Sequence, residues 1–398
     1  MKILIAAASF ASKMSGLQRH AMNVVRCLLL EPNIEAVHLV IAPWQRGFIE
    51  TSKLRQDPRL LVHVAEMKRG SLSRNLWYYC KLPALAARLQ ADLVHLTYPM
   101  PVNSAAFTCP TLVTLHDLYP YEIPMNFGFP RFIFNRIVLK QCLHNVDAIT
   151  TVSDITLLRL RQYAPPSVCQ KAVRIYNCVD SEPEPEMMPP IESWKDETFL
   201  LCVAQHRRNK NIPLLIRTFA AMLRDGQIAG EMKLVIIGIC GPETRMILRL
   251  VSTLRIERSV CFLEGVSEGE LQWCYARCNA VVIPSTTEGF GLPVAEALLA
   301  GSRIICSDIP AFREVGDENC RFVSLGKDAE KMLAAEIAVA IREPKRPPRP
   351  LHQFSAPVLA KQYVSLYHSL IMPSIPSEIS RATASINVAA SASESRPL

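Results

Sequence analysis

Residues 285–298, STTEGFGLPVAEAL, decide how the rest of this chain is interpreted. They follow the apolar run 280–284, which predicts a buried strand, and Pro293 favours a helix that begins at that residue. A strand, a glycine-bearing loop and a helix in this order are typical of α/β proteins, which bind ligands where parallel strands end. We therefore expect Glu288 in the loop facing a ligand. We expect Glu296 in the first helical turn, where the positive helix end favours a carboxylate.

Two glycines, Gly289 and Gly291, lie between these glutamates. An isolated glutamate most often only solvates a loop or a helix start. Glycine, however, is used where a backbone approaches a ligand closely, because it has no side chain to obstruct the approach. The combination therefore favours a ligand site over two solvated surface residues.

The chain has 398 residues, of which 49% are hydrophobic, and roughly 100–200 residues per domain suggests two or three domains. No uncharged apolar run reaches about 18 residues, so we expect no membrane-spanning segment. Lys2 and the apolar residues 3–11 together resemble a short signal peptide. We prefer a first buried strand there, because an apolar stripe from Leu17 to Leu28 predicts a helix directly after it.

Cysteine usage and charge indicate the compartment and the class of partner. The 13 cysteines include no C-x-x-C pair, which favours buried free thiols in a reducing compartment over a metal site. Residues 1–180 carry 20 Lys and Arg against 11 Asp and Glu, and the remainder carries 24 against 25. A basic half suggests an anionic partner such as a phosphorylated substrate or acidic lipid headgroups, with a generic solvated surface as the alternative. We expect no nucleic-acid partner, since no basic helix carries interleaved aromatic residues.

Apolar, β-branched runs alternate with helical periodicities along most of the chain. The runs predict strands at 2–8, 37–42, 60–64, 93–96, 111–116, 148–152, 172–175, 198–204, 233–238, 259–263, 280–284, 303–306 and 321–323. The periodicities predict helices at 17–30, 77–89, 130–143, 154–162, 212–224, 243–254, 268–277, 293–300, 329–341 and 354–371. This alternation predicts an α/β fold with two Rossmann-like, doubly wound domains that face each other across a cleft.

Residues 181–194, SEPEPEMMPPIESW, interrupt the alternation and indicate an interdomain linker, because they are rich in Pro and Glu and lack periodicity. The last residues are rich in Ser, Ala and Pro and contain no aromatic residue, which is typical of disorder. We therefore predict a first domain 1–180, a linker 181–196, a second domain 197–350, a helix 351–372 and a disordered tail 373–398.

The loop 204–211, AQHRRNKN, follows the first predicted strand of the second domain. Arg207, Arg208 and Lys210 would lie at a helix N-terminus, which favours phosphate binding, with a basic solvated loop as the alternative. Gly238 follows the next predicted strand and reaches the same sheet edge. Phosphate-binding cations beside two carboxylates indicate a sugar that is attached to a nucleotide.

In the first domain, Gly16 follows the first predicted strand, and the pair His116–Asp117 follows the strand predicted near 111–116. A lone histidine is usually structural. One that lies at the carboxyl end of a strand and precedes an aspartate is better placed than most for ligand contact.

These motifs together resemble the family 4 glycosyltransferases with the two-domain GT-B architecture. The resemblance extends to about residue 371, and the motifs follow the family's order: SGLQRH 15–20, HDL 116–118, TVSD 151–154, NCVD 177–180, RRNKN 207–211 and the E-x7-E run 288–296. In such proteins the final helix usually returns to pack on the first domain, which suits the segment 354–371.

The resemblance implies a role for each matching residue. Lys210 would neutralise the donor diphosphate, with Arg207 or Arg208 assisting. Glu296 would hold the ribose hydroxyls, and Glu288 would contact the donor sugar. His116 would reach the sugar or the reacting centre from the other domain. The remaining residues implied at the donor are Gly16, Gly238, Gly289, Phe290, Gly291 and Leu292.

The chain departs from the family pattern at three places. Ala204 and Gln205 replace a Gly-Arg pair, Ser15 replaces one of two glycines in the first loop, and Cys178 replaces a glycine. These changes leave the cations and carboxylates in place. They leave open whether Arg207 or Arg208 is the partner of Lys210, and they weaken any transfer of fine specificity.

The implied activity is transfer of a hexosyl group, such as mannosyl or glucosyl, from a nucleotide-diphosphate sugar to a glycan or lipid-linked acceptor. The family implies retention of the anomeric configuration, and cell-surface polysaccharide synthesis is the expected context. Because no D-x-D sequence occurs, we expect no metal and no other cofactor. We expect a cytoplasmic protein, with peripheral contact at the anionic inner face of the cell membrane as a further hypothesis.

Two other functions remain as alternatives, namely a sugar-nucleotide epimerase of the same architecture and a non-catalytic sugar-nucleotide-binding protein. An epimerase needs acid and base groups around the sugar ring, which the E-x7-E run does not suggest. A hydrolase would use the two glutamates as an acid/base pair flanking one bond, and the phosphate-binding cations have no role in that chemistry.

Overall fold

The computed structural model describes residues 1–11, 15–50, 52–179, 187–195, 197–345 and 347–372. The predicted tail 373–398, Asp180 of the NCVD motif and a large part of the predicted linker lie outside the described residues. The described residues form two parallel β-sheets, each covered by helices.

The first sheet is built from β1 Lys2–Ala6, β2 Ala36–Ile41, β3 Leu60–Val64, β4 Leu93–Leu96, β5 Thr111–Leu115, β6 Ala148–Thr151 and β7 Ala172–Arg174. All neighbouring strands are parallel, in the order β3-β2-β1-β4-β5-β6-β7. Ile3 of β1 lies opposite Val37 on one side and Leu93 on the other. Residues 2–6 are therefore an interior strand, as the preferred interpretation of the N-terminus predicts.

The second sheet is built from β8 Phe199–Val203, β9 Lys233–Ile237, β10 Val260–Leu263, β11 Ala280–Ile283, β12 Ile304–Ser307 and β13 Arg321–Val323. Its strands are also parallel, in the order β10-β9-β8-β11-β12-β13. Each strand of both sheets lies within two residues of the apolar run that predicts it. The α/β class and the doubly wound topology are confirmed.

The α-helices are α1 Gly16–Leu29, α2 Arg46–Glu50, α3 Ser71–Leu76, α4 Leu82–Arg88, α5 Tyr119–Glu122, α6 Arg131–Asn145, α7 Asp154–Tyr163, α8 Pro166–Cys169, α9 Ile212–Arg224, α10 Thr244–Thr253, α11 Glu268–Arg277, α12 Leu292–Leu299, α13 Pro310–Gly316, α14 Ala329–Ala340 and α15 Ala356–Ile371. A π-helical segment, Trp77–Lys81, joins α3 to α4. Short 3₁₀ turns occupy Pro43–Gln45, Lys53–Gln56, Ser104–Ala106, Pro124–Asn126, Glu192–Trp194, Arg208–Lys210, Asp317–Asn319 and His352–Phe354.

The sequence patterns do not predict α2, α5 and α8, which have only four or five residues each, and two longer helical segments also differ from the predictions. The helix predicted at 77–89 begins six residues earlier, at Ser71, because its first turn exposes Leu72 and Leu76 and so shows no buried stripe in the sequence. No periodicity predicts α13, since its seven residues span only about two turns. Neither difference changes the topology of the sheets.

The helix α15 follows the second domain but packs on the first sheet. Its buried side chains Leu359 and Tyr363 belong to the same apolar cluster as Leu28 of α1 and Ile3 of β1. The Tyr367 hydroxyl lies 2.7 Å from Nδ1 of the fully buried His95. The chain therefore crosses from the second domain back to the first. None of the helices in the described part of the chain is long and apolar enough to span a membrane.

Candidate active site

A cleft of about 1370 Å³ lies between the two sheets. The loops that line it follow the carboxyl ends of strands in both domains, among them β1, β5, β8 and β11. This is where open α/β sheets bind ligands, because the loops and helix N-termini converge there. The cleft is therefore the candidate active site.

Eleven of the predicted site residues line this cleft. They are Gly16, His116, Arg207, Lys210, Gly238, Glu288, Gly289, Phe290, Gly291, Leu292 and Glu296. Arg208 does not line it and is exposed to solvent. Geometry thus favours Arg207 as the cation beside Lys210, where the sequence leaves both arginines open. The functional roles of these residues stay predictions.

Glu288 is the carboxylate that contacts the basic loop. Its Oε1 accepts a hydrogen bond from Lys210 Nζ at 2.6 Å, and its side chain is only 8% exposed. The Tyr119 hydroxyl of the first domain lies 3.4 Å from the other carboxylate oxygen. The backbone carbonyl of Glu288 accepts from Arg159 Nη1 at 2.9 Å. Glu288 is therefore held by residues of both domains.

Glu296 is not in the first helical turn, which corrects the prediction. The helix α12 begins at Leu292, one residue before the predicted start, so Glu296 lies in its second turn, beyond the reach of the helix end. Its Oε1 accepts from Arg19 Nη1 at 2.7 Å and its Oε2 from the Tyr275 hydroxyl at 2.8 Å. Burial raises the pKa of Glu296, and Arg19 and Tyr275 partly oppose that shift.

Arg19 belongs to the first domain and joins two carboxylates of the second. It pairs with Glu296 and also, through Nη2 at 2.9 Å, with Glu268. Burial alone would lower the pKa of Arg19, but the two glutamates outweigh burial and raise it above its usual range. The SGLQRH motif contains this arginine, yet sequence reasoning assigned it no role, because its partners lie on the other domain.

The glycines of the motif are explained by packing rather than by a ligand alone. A Cβ on Gly289 would lie 1.8 Å from the carbonyl oxygen of His116, so the two domains touch here backbone to backbone. Gly291 precedes α12 with φ of +105°, a left-handed conformation that favours glycine. A Cβ on Gly238 would similarly collide with the Ala204 carbonyl oxygen at 1.9 Å. Contacts within the protein and backbone conformation therefore already require glycine at these three positions, apart from any approach of a ligand.

Gly16 has a different environment. A Cβ there would meet only the Leu292 side chain, at an ordinary contact distance of 3.8 Å. Both residues line the cleft from opposite domains. Packing between protein atoms therefore gives no reason why position 16 must be a glycine.

His116 lines the cleft and is neutral, with one ring nitrogen that donates and one that accepts. Its Nε2 lies 2.8 Å from the Thr97 carbonyl oxygen, which can only accept, so Nε2 carries the proton. Burial lowers the pKa of His116 to about 4. At neutral pH its Nδ1 is therefore an acceptor and not an acid.

Asp117, from the same motif, also lines the cleft but was not predicted as a site residue. Burial raises the pKa of Asp117 to about 6, the Tyr119 amide and Arg207 oppose this shift, and Glu122 and Glu288 add to it. The Tyr119 amide donates to its Oδ1 at 3.0 Å. The signal was present in the sequence, since Asp117 follows His116 at the carboxyl end of β5.

The TVSD motif holds the glycine loop across the domain boundary. The Ser153 hydroxyl and the Thr156 hydroxyl both donate to the Gly289 carbonyl oxygen, the latter at 3.0 Å. Glu314 of the second domain accepts from the Asp154 amide at 2.7 Å. Among the described residues, no group of three or more His, Cys, Asp or Glu side chains is arranged to hold a metal ion.

Two family models divide the chain between them. "Glycosyltransferase Family 4" matches residues 14–183, and "Glycosyl transferases group 1" matches residues 184–351. The chain belongs to the family 4 glycosyltransferases. The cleft of this glycosyltransferase lies between the parts that the two models match.

Relatives of this glycosyltransferase include two that are named for the O-antigen. The O-antigen chain mannosyltransferase RfbU of Salmonella typhimurium is 29% identical over 230 residues, which cover 56% of this chain and 59% of that protein. The O-antigen chain mannosyltransferase B of Escherichia coli is 23% identical over 332 residues, 79% of this chain and 84% of that one. The chain thus spans rather more than half of the first relative's length.

Solved glycosyltransferases share the architecture at low sequence identity. Anabaena HepE in complex with UDP-glucose matches with a TM-score of 0.62 at 16% identity, over 93% of this chain and 95% of that one. WaaG, a glycosyltransferase involved in lipopolysaccharide biosynthesis, matches with a TM-score of 0.61 at 15% identity, over 93% and 97%. These matches show the fold alone, and they confirm the predicted GT-B architecture.

Proposed function

We propose that this glycosyltransferase transfers a hexosyl group from a nucleotide-diphosphate sugar to a glycan or lipid-linked acceptor, with retention of the anomeric configuration. The observation that carries the proposal is the pairing of Lys210 with Glu288 at 2.6 Å in the cleft between the domains. A cation and a carboxylate at this spacing can bind two adjoining parts of one ligand, the cation a diphosphate and the carboxylate a sugar.

The donor diphosphate would bind Arg207 and Lys210. Negative charge grows on the diphosphate as the glycosidic bond breaks, and fixed cations stabilise that charge without reorganisation. Both residues lie on the loop that ends at α9, so the helix N-terminus adds a favourable dipole. We propose that these groups act without a metal ion, so that turnover persists in a chelator.

The donor sugar would lie between Glu288 and His116. The carboxylate of Glu288 and the unprotonated Nδ1 of His116 are both acceptors, which suits sugar hydroxyls as donors. Because His116 is neutral at physiological pH, it would orient the sugar rather than protonate a leaving group. Retention is proposed on the strength of family membership.

The ribose would bind at Glu296, beside Arg19. A ribose hydroxyl that donates to Oε1 must share that oxygen with the Arg19 guanidinium, which lies 2.7 Å away. The acceptor would enter from the first domain, opposite the nucleotide.

The nature of the hexose and the context are proposed from the relatives. Two relatives are named O-antigen chain mannosyltransferases, which favours mannosyl over glucosyl transfer in cell-surface polysaccharide synthesis. HepE was solved with UDP-glucose, which supports a nucleotide sugar as the donor class. The cytoplasm, where nucleotide sugars are made, is the proposed compartment.

A panel of sugar nucleotides tests the proposal. The purified protein is incubated with each donor, with and without an extract of lipid-linked glycans, and release of nucleoside diphosphate is measured. Release that depends on the extract supports transfer. Isomerisation of the donor would establish an epimerase instead, and binding without turnover would establish a non-catalytic protein.

Lys210→Ala and Glu288→Ala should each lower turnover by about a hundredfold or more, because each removes a fixed charge at the reacting centre. Arg208→Ala is the matched control, since it removes an exposed cation two residues from Lys210 and should leave turnover nearly unchanged. Circular dichroism and thermal unfolding establish that the variants are folded. Near-normal turnover in both Lys210→Ala and Glu288→Ala would refute the site assignment.

A further inference from the structure

The segment 123–146 of the first domain combines two unusual properties. It exposes large apolar side chains, with Phe129 82% exposed, Met125 69% and Ile137 59%. Its sequence contains Arg131, Arg136 and Lys140 but no Asp and no Glu. Soluble surfaces mix charges of both signs and seldom group exposed apolar residues, so this face is suited to a partner.

The helix α6 is apolar on its outward face as well as on its inward face. Leu139, Cys142 and Leu143 are buried against the first sheet. Ile133 and Ile137, one turn apart, are 42% and 59% exposed on the other side. A helix that only covers a core carries polar residues on its outer face. The outer face of α6 therefore has a role beyond packing.

The exposed apolar residues form one surface, which we call the α6 patch. Its members are Met125, Phe129, Ile133, Phe134 and Ile137. Arg131 and Lys140 on the same helix are exposed. Arg136 is turned inward, where its Nε donates to the Pro120 carbonyl oxygen at 2.7 Å. The patch thus has apolar side chains at its centre, and the exposed Lys and Arg residues of its own segment are Arg131 and Lys140.

We propose that the α6 patch docks the protein on an anionic lipid surface. Phe129, Phe134 and the two isoleucines would enter the interfacial region of the bilayer, and Arg131 and Lys140 would contact the acidic headgroups. Apolar burial and attraction to anionic lipid act together at such surfaces, and each additional cation strengthens the attachment. This inference goes beyond the proposed function, because it concerns binding to lipid and not turnover.

A second copy of the chain fits the patch less well. A twofold interface would place equivalent surfaces together, so Arg131 and Lys140 of one copy would approach the same cations of the other. No carboxylate within 123–146 could compensate that repulsion. An anionic bilayer supplies the missing negative charge.

The patch lies near the part of the cleft that contains Glu288. Asn126, next to Met125, donates from Nδ2 to Asn209 Oδ1 of the second domain at 3.2 Å. Tyr119, which precedes this segment in α5, lies 3.4 Å from the Glu288 carboxylate. If the proposed function holds, an acceptor anchored in the bilayer would enter the cleft beside Glu288, so docking and substrate supply would share one face.

Vesicle sedimentation tests the proposal directly. Full-length protein is mixed with vesicles of phosphatidylcholine alone, or with roughly one third phosphatidylglycerol, at low and high salt. We expect binding to the anionic vesicles that weakens with salt. The triple variant Phe129→Ser/Ile133→Gln/Ile137→Gln should have an affinity for anionic vesicles that is lower by about tenfold or more, because it lacks three exposed apolar side chains.

The control variants separate the patch from general electrostatics. Arg131→Glu/Lys140→Glu should weaken binding to anionic vesicles. Arg245→Glu/Arg249→Glu, which makes the same charge change on the exposed side of α10 in the second domain, should leave binding nearly unchanged. Lys210→Ala should bind vesicles normally, so that failure of docking and failure of the proposed site are distinguishable.

Three results would overturn the proposal. The wild type could fail to bind anionic vesicles, or the triple variant could bind as well as the wild type. A dimer in analytical ultracentrifugation that the triple variant abolishes would show that a second copy covers the patch instead. Equal thermal unfolding midpoints of the variants and the wild type exclude misfolding as the cause of lost binding.

Discussion

Glu288 is held within its own domain by Lys210 at 2.6 Å, whereas Glu296, eight residues later, is held by Arg19 of the opposite domain at 2.7 Å. The two carboxylates belong to one motif and one loop-helix unit. Glu288 therefore keeps its cation whatever the arrangement of the domains. Glu296 keeps its pairing with Arg19 only while the two domains hold the arrangement described above.

This difference separates two tasks of the site. A contact made inside one rigid unit is preorganised, which favours stabilisation of charge at a reacting centre. A contact made across a cleft changes when the domains move, so it couples ligand binding to closure. The Lys210–Glu288 contact is thus built into one domain, and the Arg19–Glu296 contact depends on how the two domains are placed.

Gly289→Ala should break the closed arrangement while leaving the Glu288 pair intact. The new Cβ would lie 1.8 Å from the His116 carbonyl oxygen, so the domains must separate at this contact. Since a misplacement of about 1 Å can cost a hundredfold in rate, we expect turnover to fall by about that factor. Small-angle scattering should show a larger radius of gyration.

Gly230→Ala is the control for that experiment, because an added Cβ at Gly230 meets nothing within 4 Å. It should leave both turnover and the radius of gyration unchanged. An unchanged radius in Gly289→Ala would contradict the assignment of this glycine to domain contact.

Arg19→Met should remove the cross-domain cation that pairs with the buried Glu296 and with the more exposed Glu268. Breaking a largely buried ion pair from one side leaves an uncompensated charge, at a cost of about 2–4 kcal/mol in the free energy of unfolding. The pKa of Glu296, already raised by burial, should rise further. The folded state then binds more protons than the unfolded state, so the deficit is fully present above that raised pKa.

The deficit should shrink as the pH falls through the raised pKa, and it should vanish below 4.5, the ordinary pKa of a glutamate, where both states are protonated. Urea unfolding at several pH values measures this. Arg19→Met/Glu296→Gln should recover part of the lost stability, because no charge remains to be buried. A double variant that is less stable than Arg19→Met would show that the two side chains act independently.

Asp117→Asn tests the electrostatics at the Glu288 end. The pKa of Asp117 is raised from 3.8 to about 6 in the folded state, so folding favours its protonated form. Ionisation of Asp117 therefore destabilises the folded state increasingly as the pH rises from 3.8 to 6, and the full destabilisation is reached above pH 6. The neutral amide should stabilise the protein by about 1–2 kcal/mol at pH 7.5 and by nothing at pH 3.5.

Gly16→Ala should have the smallest effect on the fold. Its Cβ would meet only Leu292 at 3.8 Å, so the free energy of unfolding should change by less than about 0.5 kcal/mol. If a ligand approaches this backbone, the KM for the donor or the acceptor should rise while stability stays constant. Unchanged values of both KM would remove Gly16 from the site.

The topology and the position of the site could be predicted because they rest on local patterns. An apolar run in a parallel sheet is nearly continuous, so each strand is visible without its neighbours. Residues that follow strands collect at one sheet edge, which places His116, Lys210 and Glu288 in the cleft before any coordinates are known. The predicted start of α12 is one residue late, so the prediction places Glu296 in the first turn, whereas the structure has it in the second.

The partners of the site residues could not be predicted. Arg19 and Glu296 are separated by 277 positions in the chain and lie on different domains. Likewise, nothing in the periodicity of 285–298 indicates that Gly289 faces the His116 carbonyl. The apolar outer face of α6 is also hidden in the sequence, because apolar residues on both sides of a helix usually mean full burial.

The sequence by itself determined two doubly wound domains and the loops that meet in the cleft between them. It did so because hydrophobic periodicity and turn chemistry act over a few residues. Only the tertiary structure decided that Lys210 pairs with Glu288, that Arg19 pairs with Glu296 and that Arg208 lies outside the cleft. The Arg19–Glu296 contact depends on how the two domains are placed against each other, and the Lys210–Glu288 contact depends on how two loops of one domain, 78 positions apart, pack together. No local pattern in the sequence records either placement.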